Sequence, residues 1–153
     1  MFKNWRELIK PKRLQVDAET LTATYGKFSA EPFERGFGTT MGNALRRVLL
    51  SSLQGAAITS VRIKGVLHEF STVPGVTQDV TDIILNLKGV LIKLHGHESR
   101  NIRIVTKGAG VIKAGDFVTD SHVEILNSDH FIATCGKEAD IEIDMVVSMG
   151  KGY

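Results

Sequence analysis

Residues 34–52 have the sequence ERGFGTTMGNALRRVLLSS, in which a glycine-rich start leads into a stretch of apolar and basic residues. The spacing of the apolar residues predicts a helix from about Thr40 to Ser52. Thr39 or Thr40 is expected to cap this helix, because a threonine hydroxyl accepts a hydrogen bond from an otherwise unpaired N–H of the first turn. The glycines before it predict a tight turn that feeds the helix.

This first helix carries apolar residues on two sides. Five of them fall within an arc of about 140°, which is the usual width of a core stripe; they are Met41, Ala44, Leu45, Val48 and Leu49. Leu50 lies opposite the stripe, and Arg46 and Arg47 lie on either side of it. A single surface leucine is ordinary, but an apolar centre with a charged rim is also typical of a docking surface. Both interpretations stay open at this point.

A second helix is predicted from Thr77 to Lys88, and it repeats this arrangement. Its buried stripe is formed by Val76, Val80, Ile83, Ile84 and Leu87. Asp79 and Asp82 suit the positive end of the helix dipole, and Gly89 suits the helix stop. Leu85 projects away from the stripe and is flanked by Asp82 and Lys88. The second helix therefore presents a second candidate docking surface.

Most of the remaining segments are predicted to be strands. Two short strands precede the first helix, at 13–17 and 21–30, and β-rich segments follow at 58–64, 90–95, 102–104, 123–126, 131–134 and 141–147. The last is the clearest, because strict alternation places Ile141, Ile143, Met145 and Val147 on one face. The fold class expected is α+β, with a small first unit (1–52) built around one main helix and a β-rich unit (53–153) carrying the second.

Composition and charge exclude several classes of protein. The chain has 153 residues, of which 42% are hydrophobic and 24% charged, and its formal net charge is +2. These values are typical of soluble globular proteins, and so mild a charge argues against a dedicated nucleic-acid binder. No apolar run is long enough to span a membrane, and the first residues lack the apolar core of a secretory signal. We therefore expect a soluble, cytoplasmic protein.

The segment Gly36–Gly42 is one candidate for chemistry, because backbone amides at a helix N-terminus attract anions. Its spacing is G-x-G-x-x-x-G, which differs from the dinucleotide fingerprint, and it lacks the Gly-Lys-Ser/Thr ending of a P-loop. A tight turn before a helix is the favoured interpretation. A small anion- or nucleotide-binding enzyme that uses this loop remains the alternative function.

The other reactive side chains do not form a recognisable site. His95 and His97 are the only close histidine pair, and a zinc site needs three or four ligands in recognisable spacings. His68 and Glu69 have no nucleophile in an identifiable relation to them. Cys135 has no neighbouring Cys or His signature, so a buried thiol is expected. No catalytic residue, metal site or cofactor is predicted in the chain.

The block Glu34–Ser52 closely resembles the hallmark of bacterial RNA polymerase α subunits. Similar segments follow at 65–72, 74–76 and 79–88, and the opening residues 4–6 and 9–11 also resemble α subunits. Phe33 and Met41 stand where this family usually has leucine, and residues 100–137 match only loosely. The resemblance nevertheless covers nearly the whole chain.

The resemblance implies a non-catalytic role in assembly. The amino-terminal domain of this family dimerises, and the dimer is the scaffold on which the β and then the β′ subunit assemble; catalysis and the magnesium belong to those partners. The dimerisation contact would use Met41, Ala44, Leu45, Val48 and Leu49. The surfaces for β and β′ would use Arg46, Arg47, Leu50, His68, Glu69, Asp82, Leu85 and Lys88.

Family members continue well beyond a segment like 148–153. They return to complete the first unit and then add a linker and a carboxy-terminal domain that binds DNA. The chain is therefore expected to be a fragment, with residues 1–52 as an incomplete dimerisation subdomain, residues 53–153 as a β-rich insert, and no carboxy-terminal DNA-binding domain. No direct DNA contact and no membrane contact are expected from it.

Overall fold

The computed structural model describes residues 8–152, so residues 4–6 of the family resemblance lie outside the described part. The chain divides into two compact units, Met1–Ser52 and Leu53–Tyr153. The first contains a small strand pair and one helix, and the second contains the large sheet and the other helix. The predicted α+β class is confirmed.

The first unit has two short strands before its helix. β1 (Leu14–Val16) pairs antiparallel with β2 (Phe28–Ala30). Strand structure was predicted from residue 21, but residues 21–27 turn instead, where the Thr22 N–H donates to the Tyr25 carbonyl at 2.8 Å. A strand ladder cannot form along a segment whose backbone groups are bonded within local turns.

The helix of the first unit, α1 (Phe37–Ser51), begins three residues earlier than predicted. The N-cap is Gly36, whose φ of 91° lies in the left-handed region that favours glycine, and no side chain caps the helix. The prediction of a threonine cap is wrong. Thr39 and Thr40 lie inside the helix, and the Thr40 hydroxyl donates back to the Gly36 carbonyl at 3.3 Å.

The second unit is built on antiparallel strands. Its elements are β3 (Gln54–Ile63), α2 (Val80–Lys88), β4 (Ile92–Leu94), β5 (Arg100–Lys107), β6 (Gly110–Lys113), a 3-10 turn (Ala114–Asp116), β7 (Val123–Ile125), β8 (Phe131–Cys135) and β9 (Asp140–Lys151). Five of the strands form one sheet in the order β5-β9-β3-β4-β7, and β6 pairs with β8. No strand was predicted where β6 lies.

One hydrophobic core joins the inner face of the sheet, α2 and the β6–β8 pair. β9 alternates strictly, so its predicted apolar face is buried: Ile141, Ile143, Met145 and Val147. α2 contacts β8 and β3 and contributes Val80, Ile83 and Leu87 to the core. Cys135 is also buried, as expected, and burial raises the pKa of its thiol.

α2 begins at Val80 rather than at Thr77. Asp79 is its N-cap, and the Asp79 carboxylate accepts a hydrogen bond from the Asp82 N–H at 2.7 Å. Val76, which was predicted on the helix, forms an isolated antiparallel bridge with Cys135 instead. The cap fixes the start of the helix, because it satisfies an N–H of the first turn that has no partner within the helix.

Gly75 lies in the loop before α2 at a position that no other residue fits well. Its φ is +75°, and an added Cβ would lie 2.9 Å from the backbone of Ala139. Gly75→Ala is therefore expected to lower the free energy of unfolding by about 1–3 kcal/mol, since it combines backbone strain with an overpacked contact. Chemical denaturation of the chain followed by circular dichroism measures the change.

Gly110→Ala is the matched control. Gly110 lies in β6, has no neighbour within 4 Å of an added Cβ and needs no positive φ. Its substitution should change the free energy of unfolding by less than about 0.5 kcal/mol. If both variants lower the free energy of unfolding equally, the strain assigned to position 75 is contradicted.

The outer face of the sheet carries a ladder of ion pairs across three strands. Asp144 of β9 accepts hydrogen bonds from Arg62 of β3 at 2.8 Å and from Arg103 of β5 at 2.7 Å. Glu142, two residues before it, pairs with Lys64 at 3.2 Å. The hydrogen bond from Arg62, followed by that from Arg103, holds the pKa of the Asp144 carboxyl below its ordinary value.

This shift makes the stability of the chain dependent on pH on the acid side. Because the folded-state pKa of Asp144 is lowered, its contribution is present above the unfolded-state pKa of about 4 and is lost as the pH falls through the folded-state pKa. Asp144→Asn should therefore lower Tm at pH 7 and reduce the decline in Tm between pH 7 and pH 3, as measured by thermal denaturation.

Asp129→Asn is the control for this comparison. The Asp129 side chain is 96% exposed and faces the single cation of Lys113. The control should show the same decline in Tm between pH 7 and pH 3 as the unmodified chain. If Tm of Asp144→Asn falls as steeply between pH 7 and pH 3 as that of the unmodified chain, the ion-pair ladder contributes nothing to the decline.

Candidate subunit-binding surfaces

The apolar stripe of α1 was expected to serve the core, but no residue of α1 is buried. All five stripe residues, Met41, Ala44, Leu45, Val48 and Leu49, are exposed. Met41 and Leu45 line an apolar groove of about 820 Å³, together with Phe28 of β2 and Phe33. The other three stripe residues do not line it. Within the first unit, the groove is therefore an incompletely covered apolar surface.

The basic residues of α1 lie away from this groove. Five residues of α1 line the groove: Phe37, Gly38, Met41, Gly42 and Leu45. At 100° per residue, helical geometry places Arg47 and Leu50 about 150° around the axis from the mean direction of these five, with Arg46 closer at about 110°. All three are exposed. Neither arginine forms an ion pair with another residue in the 8–152 range. Both guanidinium groups are therefore available to an external acceptor.

The face of α2 that is exposed is the one that its sequence predicts. Leu85 is 58% exposed, whereas Ile83 is fully buried and Ile84 is half-buried against the core. Asp82 and Lys88 are both exposed on the helix. The structure thus presents one apolar side chain with two exposed charges of opposite sign nearby.

The loop after β3 carries His68 and Glu69, and it also exposes two large apolar residues. Leu67 is 97% exposed and Phe70 is 83% exposed. They are the most exposed of the large hydrophobic residues in the described chain, and they flank the two polar residues. Leu67 and Phe70 were not singled out from the sequence; the signal was the apolar–polar–polar–apolar order of residues 67–70, which begins two residues after Gly65.

This loop is held in place by backbone and hydroxyl contacts. Gly65 has a φ of 79°, which reverses the chain after β3. The Ser71 hydroxyl donates to the His68 carbonyl at 2.7 Å, and the Thr81 hydroxyl of α2 donates to the Glu69 carbonyl at 3.0 Å. The loop is thus fixed to the start of α2 by its main chain, which leaves its side chains free to contact a partner.

Two small surface cavities lie between α2 and β3 and connect the loop with the end of α2. One has a volume of about 360 Å³ and is lined by His68 and Glu69, among others. The other has a volume of about 130 Å³ and is lined by Lys88. Both cavities also include Val61 and Ile84 in their lining. The structure therefore brings His68, Glu69 and Lys88 to two neighbouring cavities that share part of their lining.

The alternative anion site is not supported by the geometry of the glycine segment. Gly38 and Gly42 lie within α1, and only Gly36 precedes the helix. The Thr40 N–H bonds to the Gly36 carbonyl at 3.2 Å, so this amide is used by the helix itself. The segment is therefore a helix start rather than an open phosphate-binding loop.

The possible metal ligands and the histidine pair also do not form a site in the described part of the chain. Across residues 8–152, no group of three or more His, Cys, Asp or Glu side chains could hold a metal ion. His95 and His97 lie in a bend, and His95 contacts Glu124 at 3.3 Å. Among these same residues, no helix is long and apolar enough to cross a bilayer.

A family model described as the RNA polymerase Rpb3/RpoA insert domain matches residues 61–153, which is more than half of the chain. The chain belongs to this family. The match begins within β3 and includes the loop of His68 and Glu69, all of α2, and β9.

Curated relatives match the chain along its full length. It is 72% identical to a protein of Geobacter metallireducens, 69% identical to one of Pelobacter propionicus and 59% identical to one of Syntrophus aciditrophicus, each over 153 residues. All three are named DNA-directed RNA polymerase subunit alpha. The chain spans 45%, 45% and 44% of these relatives, respectively, or somewhat less than half of their length.

Proposed function

We propose that the chain is the amino-terminal part of an RNA polymerase α subunit and acts in transcription as a non-catalytic scaffold in the cytoplasm. The observation that carries this proposal is its 72% identity, over all 153 residues, to a curated α subunit. The catalytic nucleotidyl transfer belongs to the large subunits of the complex. The α dimer holds them together, and this part of it makes no direct contact with DNA.

The two units have different tasks in this proposal. Residues 1–52 form the first part of the dimerisation subdomain, and residues 53–153 form the insert. The stripe Met41, Ala44, Leu45, Val48 and Leu49 contributes to the α–α contact. The exposure of all five residues supports this assignment, because an apolar helix face left open to water gains stability when another surface covers it.

The β and β′ subunits bind to the opposite side of α1 and to the insert. Arg46, Arg47 and Leu50 form the first contact surface; His68, Glu69, Asp82, Leu85 and Lys88 form the second. Two further residues, Leu67 and Phe70, belong to the second surface, since apolar side chains exposed to this degree are typical of protein contacts. Aromatic anchors of this kind often carry a large part of an interface's binding energy.

The test uses a chimera in which the chain replaces the segment that it matches in the Geobacter metallireducens α subunit. The chimera is mixed with purified β and then β′, and the complexes are separated by size-exclusion chromatography. We expect a dimer that captures β and then β′. A chimera that folds but captures neither large subunit would overturn the proposal, and saturable binding of ATP by the chimera alone would favour the alternative of a nucleotide-binding enzyme.

The second surface is tested with a matched pair of substitutions in the chimera. Phe70→Ser removes an exposed aromatic ring from the proposed contact, and Val118→Ser removes an exposed apolar side chain elsewhere in the insert. Capture of β or β′ should weaken about tenfold in the first variant and stay unchanged in the second. Equal effects would show that the loop at 67–70 has no special part in assembly.

A further inference from the structure

Three polar residues hold the C-terminal end of α2 against the loop between β7 and β8. Asn86 lies in the last turn of the helix, and Asn127 and His130 lie in the loop. All three are half-buried. None of them was singled out from the sequence, and none belongs to the two proposed contact surfaces.

Asn86 is bonded to this part of the insert through both its side chain and its backbone. Its side-chain amide donates to the Ile132 carbonyl of β8 at 2.8 Å. Its own carbonyl accepts a hydrogen bond from Nε2 of His130 at 2.9 Å, in addition to one from the Gly89 N–H at 3.0 Å. Because a carbonyl only accepts hydrogen bonds, Nε2 of His130 carries a proton in this contact. His130 thereby serves as a side-chain partner for one of the last carbonyls of the helix.

Asn127 holds the chain directly after the helix. Its side-chain amide donates to the Gly89 carbonyl at 2.9 Å, and its Oδ1 accepts from the Leu91 N–H at 2.8 Å. The His130 N–H donates to the Asn127 carbonyl at 2.9 Å, which closes the loop into a turn. The end of α2 and this loop are thus joined by four side-chain hydrogen bonds, and we call the three side chains that form them the α2 clasp.

The ring of His130 lies so close to the end of α2 that residue 89 has no room for a side chain. A Cβ added to Gly89 would lie 2.7 Å from both Cε1 and Nε2 of His130. The backbone itself does not require glycine there, because a φ of −81° and a ψ of −6° are open to most residues. The contact with the His130 ring is therefore the reason for glycine at this position.

The α2 clasp lies next to residues of the second proposed contact surface. Leu85 directly precedes Asn86, and Lys88 directly precedes Gly89; both Leu85 and Lys88 are exposed. Helix ends fray, since their last carbonyls have no partner within the helix. A frayed last turn would move Leu85 and Lys88 relative to the rest of the surface, and the clasp opposes this movement.

We propose that His130 is a positioning residue for subunit binding, which holds Leu85 and Lys88, through the α2 clasp, in the arrangement that a large subunit recognises. This inference rests on the proposed function and adds a residue that acts through Asn86 without contacting the partner itself. Ordering of side chains during association costs free energy, and side chains that are already in place reduce this cost. The clasp therefore contributes to affinity from outside the contact surface.

His130→Phe in the chimera tests this role, because it removes the Nε2–H donor and keeps a ring over Gly89. The assembly step that Leu85→Ala weakens, capture of β or capture of β′, identifies the subunit that contacts α2. The dissociation constant of that step, measured by biolayer interferometry, should rise about fivefold in His130→Phe. His130→Gln should keep most of the affinity, since its side-chain amide supplies a donor for the Asn86 carbonyl. Thermal denaturation checks that each variant is folded at the temperature of the binding measurement.

His122→Phe is the matched control. His122 directly precedes β7, its side chain is 48% exposed, and its ring faces Asp120 at 3.7 Å rather than α2. The same change of side chain should leave the dissociation constant unchanged. Equal losses of affinity in His122→Phe and His130→Phe would overturn the role of the clasp.

Gly89→Ala tests the same contact while all three clasp side chains are kept, and it keeps the test decisive if His130→Phe does not fold. The added methyl group displaces the His130 ring, so the affinity should fall to a similar degree. In a His130→Ala background, Gly89→Ala should cause no further loss, because no ring is left to displace. Additive losses would overturn the contact between the two residues as the cause.

The outcomes separate this inference from the proposed function. Normal affinity in the folded His130→Phe and Gly89→Ala chimeras would show that the clasp only stabilises the fold, and would overturn the positioning role. If Leu85→Ala weakens neither step, α2 is not a contact and the positioning role is also overturned. Failure of the unmodified chimera to capture either large subunit would overturn the proposed function itself.

Discussion

Arg47→Ala is expected to leave the α chimera folded and dimeric but to weaken its capture of β at least about tenfold. Truncation of a central arginine in an interface costs on the order of 2 kcal/mol of binding free energy. Arg47 is exposed and has no ion-pair partner within the described part of the chain, so little folding free energy depends on it. It lies with Leu50 on the side of α1 opposite the apolar groove. Biolayer interferometry with purified β measures the loss.

Arg46→Ala is the matched control for this prediction. Arg46 has the same chemistry and the same exposure but lies closer to the groove side of the helix, next to Leu49, where its aliphatic stem can pack locally. Its substitution should reduce β capture much less. If the chimera with Arg47→Ala captures β normally and the one with Arg46→Ala does not, the assigned orientation of α1 toward its partners is wrong.

Ile83→Ala is expected to lower the free energy of unfolding of the second unit by about 3 kcal/mol, within the range of about 2–5 kcal/mol for large-to-small core substitutions. Ile83 is fully buried at the centre of α2, where the helix contacts the core. Removing its outer carbons loses buried apolar area and leaves a cavity that α2 can close only by shifting. Urea denaturation of the 153-residue chain, followed by circular dichroism, measures the loss.

Leu85→Ala on the same helix is the control for stability. Leu85 is 58% exposed, so the free energy of unfolding should change by less than about 0.5 kcal/mol. Its effect should instead be seen in the affinity of the chimera for a large subunit. A comparable loss of stability in both variants would mean that the helix buries a different face from the one described.

The parts of the fold that the sequence predicts well are those determined by local periodicity. The alternation in β9 and the stripe of α2 identify their buried faces, because one face of each element packs against the core throughout its length. Helix starts were predicted less well. Gly36 begins α1 through its positive φ, and the choice of Asp79 over Thr77 at α2 depends on how the preceding loop approaches the helix.

The candidate surfaces show a different limit of sequence reasoning. The stripe residues of α1 lie on one face of the helix, but the sequence pattern does not tell whether that face is covered. Here the face is open to water. Leu67 and Phe70 were missed because an apolar residue in a loop is expected to be buried unless tertiary contacts hold it outward, and the sequence does not show those contacts. The partner-binding roles of Arg47, Leu85 and the loop residues stay predictions.

The position of β9 has a consequence for how the second unit is made. Of the strands that the structure describes, β9 is the last in chain order, yet it lies inside the sheet, between β5 and β3. Until the ribosome has synthesised and released Asp140–Lys151, β3 and β5 cannot meet their shared neighbour, and each keeps an unpaired edge. A nascent chain in this state exposes the strand edges that β9 later pairs with, and unpaired edges of this kind promote aggregation. The order of synthesis thus delays the pairing of β3 and β5 with their shared neighbour until β9 has been made.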